Sequence, residues 1–115
     1  MKIEKFEDII AWQKARVLTN EVYNLFGKCR EYSFRDQIQR ASLSIMNNIA
    51  EGFGRKGDKE FKRFLCIAKG SCDELQSMLY IALDREYINK ESFSDIYKIS
   101  FEVSRLVIGL KKSIK

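Results

Sequence analysis

The chain has 115 residues, 45% of them hydrophobic and 32% charged, with no proline and no histidine. This length holds one core that buries roughly two-thirds of the unfolded surface, excludes a second domain, and needs neither disulfide nor metal to fold. The net charge of +5 favours polyanions modestly, so where the charge lies matters more than its sum.

The first helix is expected over residues 8–26. Ala11, Ala15, Leu18, Val22 and Leu25 recur at spacings of 4, 3, 4 and 3, the seam of packed helices. Asp8 is placed to cap its start and Gly27 to stop it. Trp12, Val17, Tyr23 and Phe26 lie off the seam and add more apolar surface than a small bundle needs.

A short polar link leads to a second helix over 34–52. Ser33 with Asp36 three residues on resembles a capping box. Its apolar stripe is Phe34, Ile38, Ala41, Ile45 and Ile49. A polar stripe of Gln37, Arg40, Ser44, Asn48 and Glu51 runs beside it. That stripe reads either as a solvated face or as a hydrogen-bond network, with Arg40 paired to a carboxylate such as Glu51 or Glu74. The short side chains of Ser44 and Asn48 suit close helix contact.

A third helix is expected over 58–84, capped by Asp58. Phe61, Leu65, Ala68, Cys72, Leu75, Leu79 and Ala82 alternate strictly by 4 and 3. Gly70 and Ser71 sit mid-helix, where glycine costs roughly 1 kcal/mol relative to alanine, and a small residue there admits another backbone. After a turn capped by Asn89, the fourth helix spans 90–113 with Phe93, Ile96, Ser100, Val103, Val107, Leu110 and Ile114 on its seam. The expected fold is therefore all-α, an antiparallel up-down-up-down four-helix bundle. No apolar run approaches the roughly 18 residues of a membrane span, and the first residues form no signal peptide. The expected location is cytoplasmic, with no membrane partner.

That topology gathers residues 1–8, 51–63 and 109–115 at one pole, with ten basic and six acidic side chains. The opposite pole, residues 26–36 and 83–92, has five of each. Arg55, Lys56, Lys59, Lys62, Arg63, Lys111 and Lys112 are the candidate phosphate contacts, although a lysine-rich end is also an ordinary solvated surface. Phe53, Phe61 and Phe64 interleave the charge, the last two as core rather than stacking platforms.

Gly52 to Gly57 spells GxGxxG, but it follows a helix and no βαβ unit surrounds it, so the dinucleotide fingerprint fails on context. The start of the third helix can hold a phosphate, in competition with Asp58. Cys29, Cys66 and Cys72 lack CxxC spacing and any histidine partner, so they read as reduced thiols, Cys72 in the core, with no metal site. Without histidine or paired carboxylates in a cleft, acid–base catalysis has no basis. The chain is read as a non-enzyme without cofactor.

Ala11-Trp12-Gln13-Lys14-Ala15, Gln37-Ile38, Arg40-Ala41, Ser44-Ile45, Asn48-Ile49-Ala50-Glu51-Gly52 and Gly54-Arg55 together resemble the signature of a bacterial four-helix-bundle family named from 23S rRNA intervening sequences. Phe61, Phe64-Leu65, Ile67-Ala68, Gly70-Ser71 and Glu74-Leu75 continue the match through the third helix. The link between helices one and two lacks the proline common in that family, and Cys72 replaces a larger apolar residue. The resemblance implies a homopentamer around a central channel. Arg40, Ser44, Asn48, Glu51, Gly70, Ser71 and Glu74 are the candidate structural or interface network, read from the polar stripe and the small residues of the third helix. The related accessory proteins of diversity-generating retroelements are similar pentamers that bind nucleic acid and a reverse transcriptase, which suggests RNA binding or a scaffold. Two expectations follow: a basic pole that binds RNA or DNA, or a protein-interaction scaffold with no nucleic-acid role.

Overall fold

The computed structural model describes residues 3–115. A short 3₁₀ turn at Phe6–Asp8 leads into four helices, α1 (Ile10–Phe26), α2 (Tyr32–Gly54), α3 (Asp58–Asp84) and α4 (Lys90–Ser113). They pack into a body of 43 × 23 × 19 Å, with no strand among the described residues. No helix among them is long and apolar enough to cross a membrane.

The seams make the core. Ile38, Ala41, Ile45 and Ile49 of α2 and Leu65, Ala68, Cys72, Leu75, Leu79 and Ala82 of α3 are all buried, as are Ile96, Val103 and Val107 of α4. On α1 the buried stripe ends on Phe26, fully buried, rather than on Leu25, which is only half-buried. A straight helix has 3.6 residues per turn, so a strict 4-3 pattern drifts off the core within a few turns.

Each helix meets its sequence neighbours, α2 against α3 most extensively, and α1 meets α4. Between α2 and α3 the pairs are Gln37 with Glu74, Ser44 with Ser71, and Gly52 with Phe64. Between α1 and α2, the Phe26 and Phe34 rings lie 5.9 Å apart, and the Thr19 hydroxyl donates to Ser42 O at 3.1 Å. Between α3 and α4 they are Tyr80 with Phe93 and Gln76 with Ser100. In all three, residue number rises on one helix as it falls on the other. Thr19 is buried, and its single hydroxyl hydrogen is shared between Ser42 O and its own helix's Ala15 O at 2.9 Å, which satisfies the donor without water.

Three expected caps differ. Helix α1 starts two residues after Asp8, because Phe6–Asp8 takes the 3₁₀ turn and Ile9 becomes the capping position. Ser33 lies inside α2, whose N-cap is Glu31, and Gly57 rather than Asp58 precedes α3; none of these three starts has a side-chain cap bond. Asp58 instead sits in the first turn with Glu60, where a carboxylate favours the helix dipole. Asn89 does cap α4, accepting from the Ser92 N–H at 2.8 Å.

Helix α3 ends in a Schellman motif. The Tyr87 N–H reaches Ala82 O at 2.8 Å and the Glu86 N–H reaches Leu83 O at 3.1 Å. Glu86 holds the left-handed position, φ 60°, usually given to glycine. Glu86→Gly is therefore expected to stabilise the fold by about 1 kcal/mol. Urea unfolding would show this as a higher midpoint at unchanged slope, with Glu86→Ala giving no such gain.

Burial raises the Cys72 thiol from its ordinary 9.0 to about 12, with Asp73 adding to the effect. The native thiol then stays protonated where the unfolded one ionises, so its contribution to stability falls as pH rises above about 9. A thiol reagent at neutral pH is expected to modify exposed Cys66 quickly and Cys72 only on unfolding. Mass spectrometry after timed labelling reads this directly.

Candidate nucleic-acid interface

The corner between α2 and α3 is built on Gly52. Helix α2 does not stop there; it runs on to Gly54. A Cβ on Gly52 would lie 2.5 Å from the Phe64 Cβ and 3.1 Å from Phe61 Cδ1. The glycine thus lets α3 approach closely enough to bury Phe64. Gly54 and Gly57 face open space. The left-handed residue of the corner is Lys56, φ 65°, while Gly57 is extended at φ −138°.

Phe64 also orders the charge. The Arg55 and Arg63 guanidinium carbons lie 5.1 and 4.8 Å from its ring centroid, within cation–π range. Each arginine also binds a carboxylate, Arg55 with Glu51 at 2.9 Å and Arg63 with Glu60 at 3.1 Å. Both pairs are about half exposed, so each adds at most a few tenths of a kcal/mol. The Arg63 guanidinium, by hydrogen bond, holds the Glu60 carboxyl below its usual range, against a smaller opposing effect of burial. Phe53 and Phe61 meet edge to face at 6.0 Å, and the Lys56 ammonium sits 5.7 Å from the Phe53 centroid.

The remaining candidates divide. Lys56, Lys59, Lys111 and Lys112 are exposed and pair with no carboxylate among the described residues. Lys62 donates to Lys115 O at 3.0 Å, which ties the chain's last residue to α3. With Lys111 and Lys112 it lines a groove between α3 and α4 rather than the corner. A second hollow, lined by Phe53, Lys56, Phe61, Leu110 and Ile114 among others, joins the corner to the end of α4. Lys2, counted in the basic pole, lies outside the described residues.

The polar stripe of α2 is half inside. Ser44 and Ser71 share a hydrogen bond of 2.8 Å, and Asn48 donates to Ser44 O at 2.7 Å and to Ser44 Oγ at 3.0 Å. Glu74 accepts from Gln37 at 3.1 Å. Arg40 is exposed and pairs with no carboxylate among the described residues, since Glu51 is taken by Arg55. Gly70 is exposed, with nothing within 4 Å of a Cβ built there, so no backbone approaches it. The small residue that admits a neighbouring helix is Gly52. Its signal was available in Phe61 and Phe64, bulky residues just across the corner. The buried bond of Thr19 to Ser42 had no such signal, because one threonine on an apolar face names no partner.

A family model for 23S rRNA-intervening sequence proteins matches residues 7–109. The chain belongs to that family. Among solved structures, a protein of unknown function from the S23 ribosomal protein family of Bacteroides thetaiotaomicron is similar, with a TM-score of 0.84 and 26% identity. The match covers 90% of this chain and 99% of that one. No curated protein matches the chain. The family match spans both corner helices in full, so Gly52, Phe64 and their flanking cations lie inside the family's own region.

Proposed function

We propose that this protein is a non-enzymatic, cytoplasmic oligomer of antiparallel up-down-up-down bundles that binds RNA, or another nucleic acid, at its basic end. One observation carries the reading: Lys56, Lys59, Lys111 and Lys112 gather at that end without carboxylate partners among the described residues. Such cations are free to neutralise phosphates and release their counterions. Arg55 and Arg63 add planar donors already oriented over Phe64, at less entropy cost than free side chains. The ribosomal RNA in the family's description, and the ribosomal-protein family of the Bacteroides neighbour, make RNA the first polyanion to test.

The helix directions in this reading are supported by the opposed residue pairings across the interfaces. Oligomer formation is supported by exposed apolar residues seven apart on α1, Ile10 with Val17. Two turns separate the pair, which makes a stripe rather than scattered exposure. A heterologous contact repeated with a closing rotation gives a ring, and a homopentamer is the size the family resemblance implies.

Lysine acetylation footprinting tests the site. With a single-stranded RNA present, Lys56, Lys59, Lys111 and Lys112 are expected to be protected while Lys28 and Lys90, at the other end, are not. Equal protection at both ends, or none at either, would overturn the proposal.

A further inference from the structure

The groove between α3 and α4 has a chemistry that phosphate binding does not use. Its volume is about 370 Å³, and Cys66, Ile108 and Ile114 supply accessible apolar lining over the buried Leu65 and Val107. Lys62 and Lys69 come from α3, and Lys111 and Lys112 from α4, with no acidic residue among the lining. Lys62 and Lys69 are seven residues apart, so the groove extends about 10 Å along α3, or two helical turns. Lys69 holds Asp73 at 2.7 Å, and Lys62 holds a main-chain oxygen of Lys115. Lys111 and Lys112 have no carboxylate partner among the described residues.

We propose that this groove docks an acidic amphipathic helix of a partner protein, apolar side chains on its floor and carboxylates against the flanking lysines. Charge complementarity selects this occupant. A nucleic-acid backbone would match the lysines but gain nothing from Ile108 and Ile114. A simple fatty acid would match the floor but offers one carboxylate to four lysines. A helix with apolar residues at i, i+3, i+4 and i+7, flanked by Asp and Glu, satisfies both. This docking goes beyond the RNA reading and shares Lys111 and Lys112 with it, while Lys56 and Lys59 at the corner lie outside the groove.

The test uses the whole protein and a fluorescent helical peptide with leucine at i, i+3, i+4 and i+7 and glutamate between. A control peptide has the same composition with the leucines scattered around the helix. Two variants separate the contributions. Ile108→Asn removes apolar floor without changing charge, at a residue already 37% exposed and so tolerant of substitution. Lys69→Gln removes one flanking charge outside the proposed RNA contacts. The patterned peptide is expected to bind saturably, at least tenfold more tightly than the control, and each variant to weaken it severalfold with RNA affinity unchanged. Equal binding of both peptides, or of neither, would overturn the proposal. So would displacement of the peptide by RNA with RNA binding lost in Ile108→Asn, which makes nucleic acid the occupant. A changed oligomer mass in either variant would assign the groove to a second copy of the chain and overturn it likewise.

Discussion

Gly52→Ala is expected to destabilise the protein by about 2–3 kcal/mol, although alanine is the better helix former. The added methyl would sit 2.5 Å from the Phe64 Cβ, a distance that real Cβ atoms do not reach. Both atoms are fixed to helix backbones, so no rotamer change relieves the contact. The end of α2 must move away from α3, which opens the packing around Phe61 and Phe64. Intrinsic propensity acts in the other direction by roughly 1 kcal/mol, and the clash exceeds it. Thermal unfolding would show the loss as a fall of several degrees. A variant as stable as the parent would mean that the corner is looser than these distances imply. Gly54→Ala is the natural control, since nothing lies within 4 Å of its Cβ, and it should be neutral or slightly stabilising.

Phe64→Ala is expected to cost more, about 3–5 kcal/mol. The ring is 6% exposed, so its removal loses the buried apolar surface and leaves a cavity beside Gly52. It also takes away the face over which Arg55 and Arg63 lie. Phe64→Leu keeps most of the buried volume but not the aromatic face, so its smaller loss measures the ring's share. Phe64→Ala should not rescue Gly52→Ala, because the closest conflict is with the Phe64 Cβ, which alanine retains. The double variant is therefore expected to be no more stable than Phe64→Ala alone. Chemical denaturation of the four proteins in the cycle reads the coupling.

The helices and their buried faces were legible in the sequence because periodicity reports burial directly. On α3 every seam residue from Leu65 to Ala82 is buried, and the fourth helix has the span its pattern predicts. Caps were less legible. Asp8, Ser33 and Asp58 are all good capping types, yet the chain enters its first three helices through other residues. Capping contributes only about 1 kcal/mol, which packing overrides. The role of glycine was misplaced for a related reason. Gly70 interrupts the strongest seam and attracts attention, whereas Gly52 looked like an ordinary helix stop. Only the position of α3 distinguishes an exposed glycine from one under a phenylalanine.

The candidate site was legible as a cluster of charge but not as an arrangement. Sequence pattern grouped seven cations at one end without separating their roles. The structure ties Arg55 and Arg63 to carboxylates and turns Lys62, Lys111 and Lys112 toward an apolar groove. Pairing of this kind depends on helix-surface neighbours three and four residues apart, Glu51 with Arg55 and Glu60 with Arg63. It could have been read from spacing. The groove could not, because its two walls are some forty residues apart in the chain.

The most direct measurement of the proposed function is the affinity of the purified protein for a labelled single-stranded RNA across a range of salt concentrations. If the basic end binds phosphates, log affinity falls linearly with log salt, at about 0.7 per phosphate neutralised on a single strand. Replacing Lys56 and Lys59 with glutamine then lowers that slope, by more than one contact where several copies engage one strand, without changing thermal stability. An affinity that is undetectable at low salt, or that shows no salt dependence and survives this replacement, would contradict the account.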